Sequence, residues 1–189
     1  MPRPFRPLLM LSTALVMTAA VWAAPAAERF TANAINMNVS AAGTIEIVLD
    51  RWSTDAERDK LMKVMMDKGP EKLLDALQDL PRVGYFRSPN SLGWDIHFAR
   101  KIPQAEGGER LVLVTDRRIN FWEAANRPRS IDYPFTVIEL RLNREGEGEG
   151  KISVATKIIA DKEANIVTLE NFDTQPVMLT HVKRERPSQ

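Results

Sequence analysis

Cysteine is absent from the 189 residues of this chain. Its absence excludes disulfide bonds, thiolate metal sites and a cysteine nucleophile. It also excludes lipid attachment through the cysteine that a bacterial lipoprotein signal requires. We therefore expect packing to provide the stability of the fold.

Histidine is scarce as well, since His97 and His181 are the only two. A histidine-rich zinc site would need both of them together with carboxylates from distant strands, and nothing in their spacing indicates one. The glycine-flanked serine of a hydrolase is also missing, because Ser91 lies in Pro-Asn-Ser-Leu-Gly without the first glycine. The sequence predicts no metal site and no cofactor, and it makes no positive case for catalysis.

Neither sign of charge dominates, because 26 basic residues are matched by 25 acidic ones. Binding to nucleic acid generally depends on a basic surface that neutralises phosphates. We therefore expect no nucleic acid partner for this chain.

The N-terminal segment carries the three parts of a secretory signal in order. Arg3 and Arg6 precede an apolar run from Leu8 to Val21, and a stretch of small residues follows. The run is shorter than the roughly 20 apolar residues that span a bilayer. An uncleaved amphipathic or anchoring helix is the alternative interpretation.

Cleavage is expected after Ala26, because Ala24 and Ala26 place small residues at both key positions, and a cut after Ala23 is the alternative. We predict a signal peptide at residues 1–26 and a single, mostly β domain at residues 27–189. The mature protein is expected to be periplasmic or secreted, with no stable membrane anchor after cleavage.

Nine short β-rich runs separated by turn residues follow, at a spacing typical of a sandwich or a barrel. In the fourth run Ile96 and Phe98 share one face, whereas Asp95 and His97 lie on the other. The runs are 30–39, 44–52, 83–87, 94–101, 110–116, 133–143, 151–159, 166–172 and 177–183. They predict a mainly β fold, an antiparallel meander of about nine strands in a barrel-like or cupped sheet, with a sandwich as the alternative.

Residues 54–80 have helical spacing and predict a helical hairpin inserted after strand two. Thr54 and Glu57 match a capping box, Gly69 marks the end of the first helix, and Pro70 suits the start of the second. Residues 111–114 and the middle of the run 133–143 are apolar on both faces, which is typical of covered strands. We therefore expect the helices to cover part of the outside of the sheet.

The repeated Glu-Gly pairs at residues 145–150 are interpreted as a flexible, solvated hairpin loop. Glu139 and Arg141, two residues apart on one strand face, are expected to form a surface ion pair.

The least ordinary segment is 117–134, which is longer than a usual hairpin loop and combines aromatic rings with arginines. Such groups suit sugars, anionic lipids or carboxylated ligands. The alternative is that Phe121 and Trp122 plug one end of the core while the arginines are solvated. The candidate ligand-binding residues are Arg117, Arg118, Phe121, Trp122, Arg127, Arg129 and Tyr133.

The tripeptide Thr115-Asp116-Arg117 is similar to a short motif of the lipocalins, which are secreted barrels that hold apolar ligands. The resemblance covers these three residues. The chain departs from that family because no Gly-x-Trp marks the first strand and the helices follow strand two. We therefore assign no family.

Three functions are compatible with these features. The first is non-catalytic binding of a small apolar or amphipathic ligand within the sheet, beneath the segment 117–134. The second is a protein-interaction or structural module of the bacterial envelope, using a sheet edge or the helical hairpin to join a protein partner. The third is an uncharacterised enzyme that uses His97 and a carboxylate, and it ranks last because no motif supports it.

Overall fold

The computed structural model describes residues 27–37, 41–89, 93–116, 132–161, 163, 166–171 and 175–185. These residues contain nine β-strands: β1 (Glu28–Asn36), β2 (Ala41–Leu49), β3 (Gly84–Arg87), β4 (Trp94–Pro103), β5 (Glu109–Thr115), β6 (Phe135–Leu142), β7 (Glu147–Asp161), β8 (Ile166–Asn171) and β9 (Val177–Glu185). Helices α1 (Asp55–Lys68) and α2 (Leu73–Gln78) follow β2 and are joined through a 3-10 turn at Pro70–Lys72. Each predicted strand overlaps one of the observed strands.

The strands form a closed antiparallel barrel. Their order is β6-β5-β4-β3-β2-β1-β9-β7, and a further pairing of β6 with β7 closes the ring of eight. β8 is an additional strand that pairs with β7. The prediction of a mainly β, barrel-like fold is confirmed, and the sandwich alternative is wrong.

Inward-pointing side chains fill the barrel. On β5 and β6, Leu111, Leu113, Ile138 and Leu140 are fully buried. The same packed cluster contains Phe30, Ala34, Ile45, Ile47, Leu49, Phe86, Ile96, Ile152 and Leu179. Among the described residues, the interior of the barrel therefore holds a continuous cluster of buried apolar side chains.

Charged side chains close the end of the barrel where β1 begins and β2 ends. Glu28 accepts a hydrogen bond from Trp52 Nε1 at 2.7 Å and lies 3.3 Å from Lys101 Nζ. Arg184 forms ion pairs with Glu28 and Glu109. These opposite charges compensate one another over the apolar core.

The helices cover the outer surface of β4, β5 and β6. Met65 and Leu77 are 3% and 2% exposed, and they form a second apolar cluster with Val114, Phe135 and Val137. This packing explains why β5 and β6 are apolar on both faces. Within the described residues, neither helix is long and apolar enough to cross a bilayer.

The predicted capping box begins α1. The hydroxyl of Thr54 accepts a hydrogen bond from the Glu57 amide at 3.2 Å, and the Thr54 amide donates to the Glu57 carboxylate at 2.7 Å. The helix ends before Gly69, whose φ of 93° favours glycine. Pro70 opens the 3-10 turn that leads into α2.

The Glu-Gly stretch, predicted to be a flexible loop, lies mostly in a strand. β7 begins at Glu147, and Gly148 pairs with Leu142 of β6. A Cβ on Gly148 would lie 1.9 Å from the carbonyl oxygen of Arg141. Glycine at this position therefore permits the backbones of β6 and β7 to approach each other closely, which is a common reason for a glycine within a strand.

Candidate functional site

Six of the seven residues predicted to bind a ligand lie outside the described residues: Arg117, Arg118, Phe121, Trp122, Arg127 and Arg129. The seventh, Tyr133, is half-buried and precedes β6 by two positions. Because β5 and β6 are antiparallel neighbours, the chain enters and leaves the segment 117–134 at the same end of the barrel. The binding role of these residues stays a prediction.

β7 and β8 form a two-stranded ribbon that extends beyond the barrel. Along β7, the last pair with β6 joins Thr156 to Phe135, whereas the pairs with β8 begin at Thr156 and continue to Asp161. This extension lies beyond the closed ring, so neither face of the ribbon is turned toward the interior of the barrel.

One face of the ribbon is apolar. Ile158 lies opposite Leu169, and Ala160 lies opposite Val167. Residues that are opposite in an antiparallel pair share a face. Ile158 and Ala160 pack against the apolar cluster that contains the helices, so this face is turned toward α1 and α2.

A groove of about 190 Å³ lies between the helices, the ribbon and the outer face of the barrel. We call it the outer groove. Its floor consists of Phe98, Val112, Val114, Phe135 and Val137. The prediction that Ile96 and Phe98 share one face is wrong, because the register of β4 with β5 shifts between them and leaves Ile96 inside the barrel and Phe98 outside. Its helical wall consists of Leu61, Met62, Met65, Leu73 and Leu77, and its ribbon wall of Ile158, Val167 and Leu169.

The outer groove is open along the ribbon. Val167 and Leu169 are 41% and 45% exposed, although both side chains are large and apolar. Of the lining residues, Arg58 is the one that is not apolar. Exposed apolar surface that adjoins a concave site is typical of ligand or partner binding.

Arg58 lies at the helical wall and is held by two acids. Its guanidinium lies 3.1 Å from Asp55 and 2.6 Å from Asp59, and the hydrogen bond to Asp59 is the main reason why the pKa of Arg58 is raised. Asp55 also accepts a hydrogen bond from Arg100, which lowers the pKa of Asp55. Both acids are exposed, so these ion pairs are weak and can open toward a polar group at the groove.

Sequence reasoning did not identify the outer groove. The available signal was the apolar pattern of Ile158 and Ala160 on β7 and of Val167 and Leu169 on β8. The predicted runs 151–159 and 166–172 include Ile158, Val167 and Leu169 but not Ala160. How far β7 extends beyond β6 depends on the register of the folded barrel.

His97, the histidine considered for catalysis, links the helices to the barrel. Its Nδ1 lies 2.9 Å from the Leu80 carbonyl oxygen after α2, and its Nε2 lies 3.9 Å from a carboxylate oxygen of Asp116. The side chain is 14% exposed. The carbonyl contact places a proton on Nδ1 and gives this half-buried histidine a structural role.

The expected ion pair between Glu139 and Arg141 is present at 3.2 Å, and Arg110 also donates to Glu139 at 3.1 Å. Burial raises the pKa of Glu139, but the contacts with Arg110, Lys151 and Arg141 together outweigh it, so the net shift of the pKa is downward. Glu139 bridges two arginines that lie directly opposite each other on β5 and β6. This arrangement is a structural ion-pair network on the barrel surface.

Among the residues that the structure describes, no three histidine or acidic side chains are grouped as a metal ion would require. Comparison of the chain with protein-family models, with curated proteins and with solved structures finds no match.

Proposed function

We propose that this protein binds a small apolar or amphipathic ligand in the outer groove and performs no chemistry on it. The observation that carries the proposal is the groove of about 190 Å³, lined by apolar side chains and open along Val167 and Leu169. Filling it with an apolar group would remove the exposed surface of these two residues from water, which is favourable.

The volume of the groove limits what it can enclose. An apolar cavity of about 150 Å³ holds benzene. Pockets that enclose a whole drug-sized ligand measure about 300–1,000 Å³. The outer groove therefore suits one apolar group, such as a ring or the end of an acyl chain, with the rest of the ligand outside.

This size favours an amphipathic ligand. Its apolar end would contact Met62 and Met65, whose flexible side chains adapt to irregular shapes. Its polar part would lie beside Arg58 at the helical wall, where the guanidinium contacts two exposed acids. The apolar cluster inside the barrel is buried, whereas the outer groove is bordered by exposed apolar side chains, which supports a site on the outside.

We also propose that the protein acts in the periplasm or outside the cell. The support is the order of basic, apolar and small residues within residues 1–26. Fractionation of cells that express the complete chain, followed by N-terminal sequencing of the product, tests this proposal. An intact N-terminus in the cytoplasmic fraction would contradict it.

Binding is tested with dodecanoic acid and 1-dodecanol, which share a chain length and differ in the charge of the head group. Native mass spectrometry of the purified chain should show one bound molecule. Val167→Trp should weaken binding at least tenfold, because the indole occupies the groove. Ile35→Trp is the matched control, since Ile35 is also a partly exposed apolar residue on a strand but does not line the groove.

Failure of the wild-type chain to bind either compound would count against the proposal. An equal loss of binding in Val167→Trp and Ile35→Trp would show that the compounds bind elsewhere. Binding of the acid but not of the alcohol would show that a cationic side chain, such as Arg58 at the helical wall, contacts the head group.

A protein-interaction module of the envelope is the second candidate. Ile35 and Met178 are opposite each other on β1 and β9, and they are 36% and 43% exposed. Met37, at the end of β1, is 65% exposed and extends this apolar patch. Chemical cross-linking in intact cells tests this candidate, and recovery of the uncrosslinked monomer alone would weaken it.

A further inference from the structure

β8 is an edge strand. It pairs with β7 on one side, and no strand among the described residues pairs with its other side. Each strand of the barrel, in contrast, has neighbours on both sides because the ring is closed. An edge of this kind presents backbone amides and carbonyls to which another strand can add.

The β8 edge carries one charged side chain, Glu170, and lacks three of the usual features that block such pairing. Its sequence from Ile166 to Asn171 contains neither lysine nor proline, and its pairing with β7 shows no bulge. Lysine, proline and bulges are the common means by which proteins prevent edge-to-edge association. The exposed apolar side chains of Val167 and Leu169 lie beside this edge.

We propose that a second copy of this chain pairs its own β8 with this edge, antiparallel, about a two-fold axis beside Thr168. In this register the apolar residues on either side of Thr168 become partners, and Glu170 of each copy lies opposite Ile166 of the other. With Thr168 opposite Thr168 of the second copy, Val167 of each copy lies opposite Leu169 of the other. A two-fold register centred on Val167 or on Leu169 would leave one of these apolar residues without an apolar partner.

This pairing provides partners for the backbone groups of the β8 edge and for the exposed side chains of Val167 and Leu169. It forms two apolar cross-strand pairs and one Thr–Thr pair, all of which are favourable in antiparallel sheets. It also extends the ribbon wall of the outer groove by one strand, because opposite residues share a face. The pairing goes beyond the proposed ligand binding and does not depend on it, since Thr168 points to the face of β8 that is turned away from the groove.

Sedimentation velocity of the purified chain over a range of concentrations tests the proposal. A single edge strand buries less surface than the roughly 1,200 Å² typical of stable complexes, so we expect a dimer that dissociates on dilution. Thr168→Lys should abolish the dimer, because it places two ammonium groups opposite each other. Thr44→Lys, at an exposed threonine of β2, is the matched control and should still dimerise.

A cross-linking variant tests the register directly. The chain has no cysteine, so Thr168→Cys introduces a single thiol at the two-fold axis. Opposite Cα atoms of antiparallel strands lie about 4.5–5.5 Å apart, within the range of about 4.4–6.8 Å that a disulfide spans. Oxidation should therefore yield a covalent dimer in Thr168→Cys and not in Thr44→Cys.

A chain that stays monomeric at every concentration overturns the proposal. This result is expected if another segment of the chain covers the β8 edge. A dimer that survives in Thr168→Lys, or cross-linking that is equal in the two cysteine variants, also overturns it. Binding of dodecanoic acid by Thr168→Lys separates the two ideas. If the variant is monomeric and still binds the acid, the pairing and the ligand site are independent, whereas absence of binding in every variant affects only the proposed function.

Discussion

Arg51 holds the carboxylate of Glu57 through two hydrogen bonds, of 2.9 Å and 2.8 Å. Arg51 follows β2, and Glu57 lies in the first turn of α1, so the pair fixes the direction in which the helices leave the barrel. The same carboxylate caps the amide of Thr54. The hydrogen bond from Arg51 is the main cause that lowers the pKa of Glu57 to about 2, against the opposing effect of burial.

This pairing predicts a specific dependence of stability on pH. The folded pKa of Glu57 lies below the unfolded value of 4.5. Its stabilising contribution is therefore complete above about pH 4.5 and is lost as the pH falls toward 2. Glu57→Gln should lower the free energy of unfolding at neutral pH by about 2 kcal/mol and flatten the acid dependence between these values.

Urea unfolding at a series of pH values measures both effects. Glu71→Gln is the control, because Glu71 is an exposed acid in the neighbouring turn. Parallel pH profiles for the wild type and Glu57→Gln would show that the Arg51 contact does not stabilise the fold.

A second prediction concerns the packing of α2 on the barrel. Leu77 is 2% exposed in the cluster beneath the helices, so Leu77→Asp removes apolar contacts and buries an unpaired carboxylate. We expect a loss of about 3–5 kcal/mol in the free energy of unfolding. Gln78→Asp, at the exposed next position, should change it by less than about 0.5 kcal/mol. Equal melting temperatures for Leu77→Asp and the wild type would show that the helices are peripheral.

The elements that local sequence patterns control were predictable. The capping pair Thr54 and Glu57 marks where α1 begins, and the apolar residues on both faces of β5 and β6 indicate that something covers them. The cover could be assigned to the helices because they are the amphipathic segment of the chain. These features depend on residues close together in sequence, or on the period of a single strand.

The outer groove and the strand character of the Glu-Gly stretch were not predictable in the same way. The groove exists because β7 continues past Phe135, the first residue of β6, and that excess depends on the register between distant strands. Gly148 is a strand residue because β6 passes close to it. Neither relationship has a counterpart in the local pattern of hydrophobic residues.

A third prediction follows from that close approach. In Gly148→Ala the added methyl group would overlap the carbonyl oxygen of Arg141, 1.9 Å away, and the strand backbone would have to move. We expect a loss of at least about 2 kcal/mol. Gly43→Ala is the matched control, since no atom lies within 4 Å of a Cβ there and its φ is not positive. That control should be neutral or slightly stabilising.

Thermal unfolding of the two alanine variants decides the matter. If Gly148→Ala and Gly43→Ala melt at the same temperature, β7 does not approach β6 as closely as the structure shows. In that case the interpretation of the Glu-Gly stretch as a flexible loop would regain its support.

The last prediction concerns the segment 117–134, most of which lies outside the described residues. Val114 and Phe135, which line the floor of the outer groove, precede and follow this segment in the chain. A ligand in the groove therefore lies near both ends of it. Trp122→Ala and Arg127→Ala should reduce binding of dodecanoic acid while leaving the melting temperature nearly unchanged, because a loop residue that serves recognition contributes little to the core. If both substitutions instead lower the melting temperature strongly and leave binding intact, Trp122 is part of a structural plug, and recognition depends on the groove residues alone.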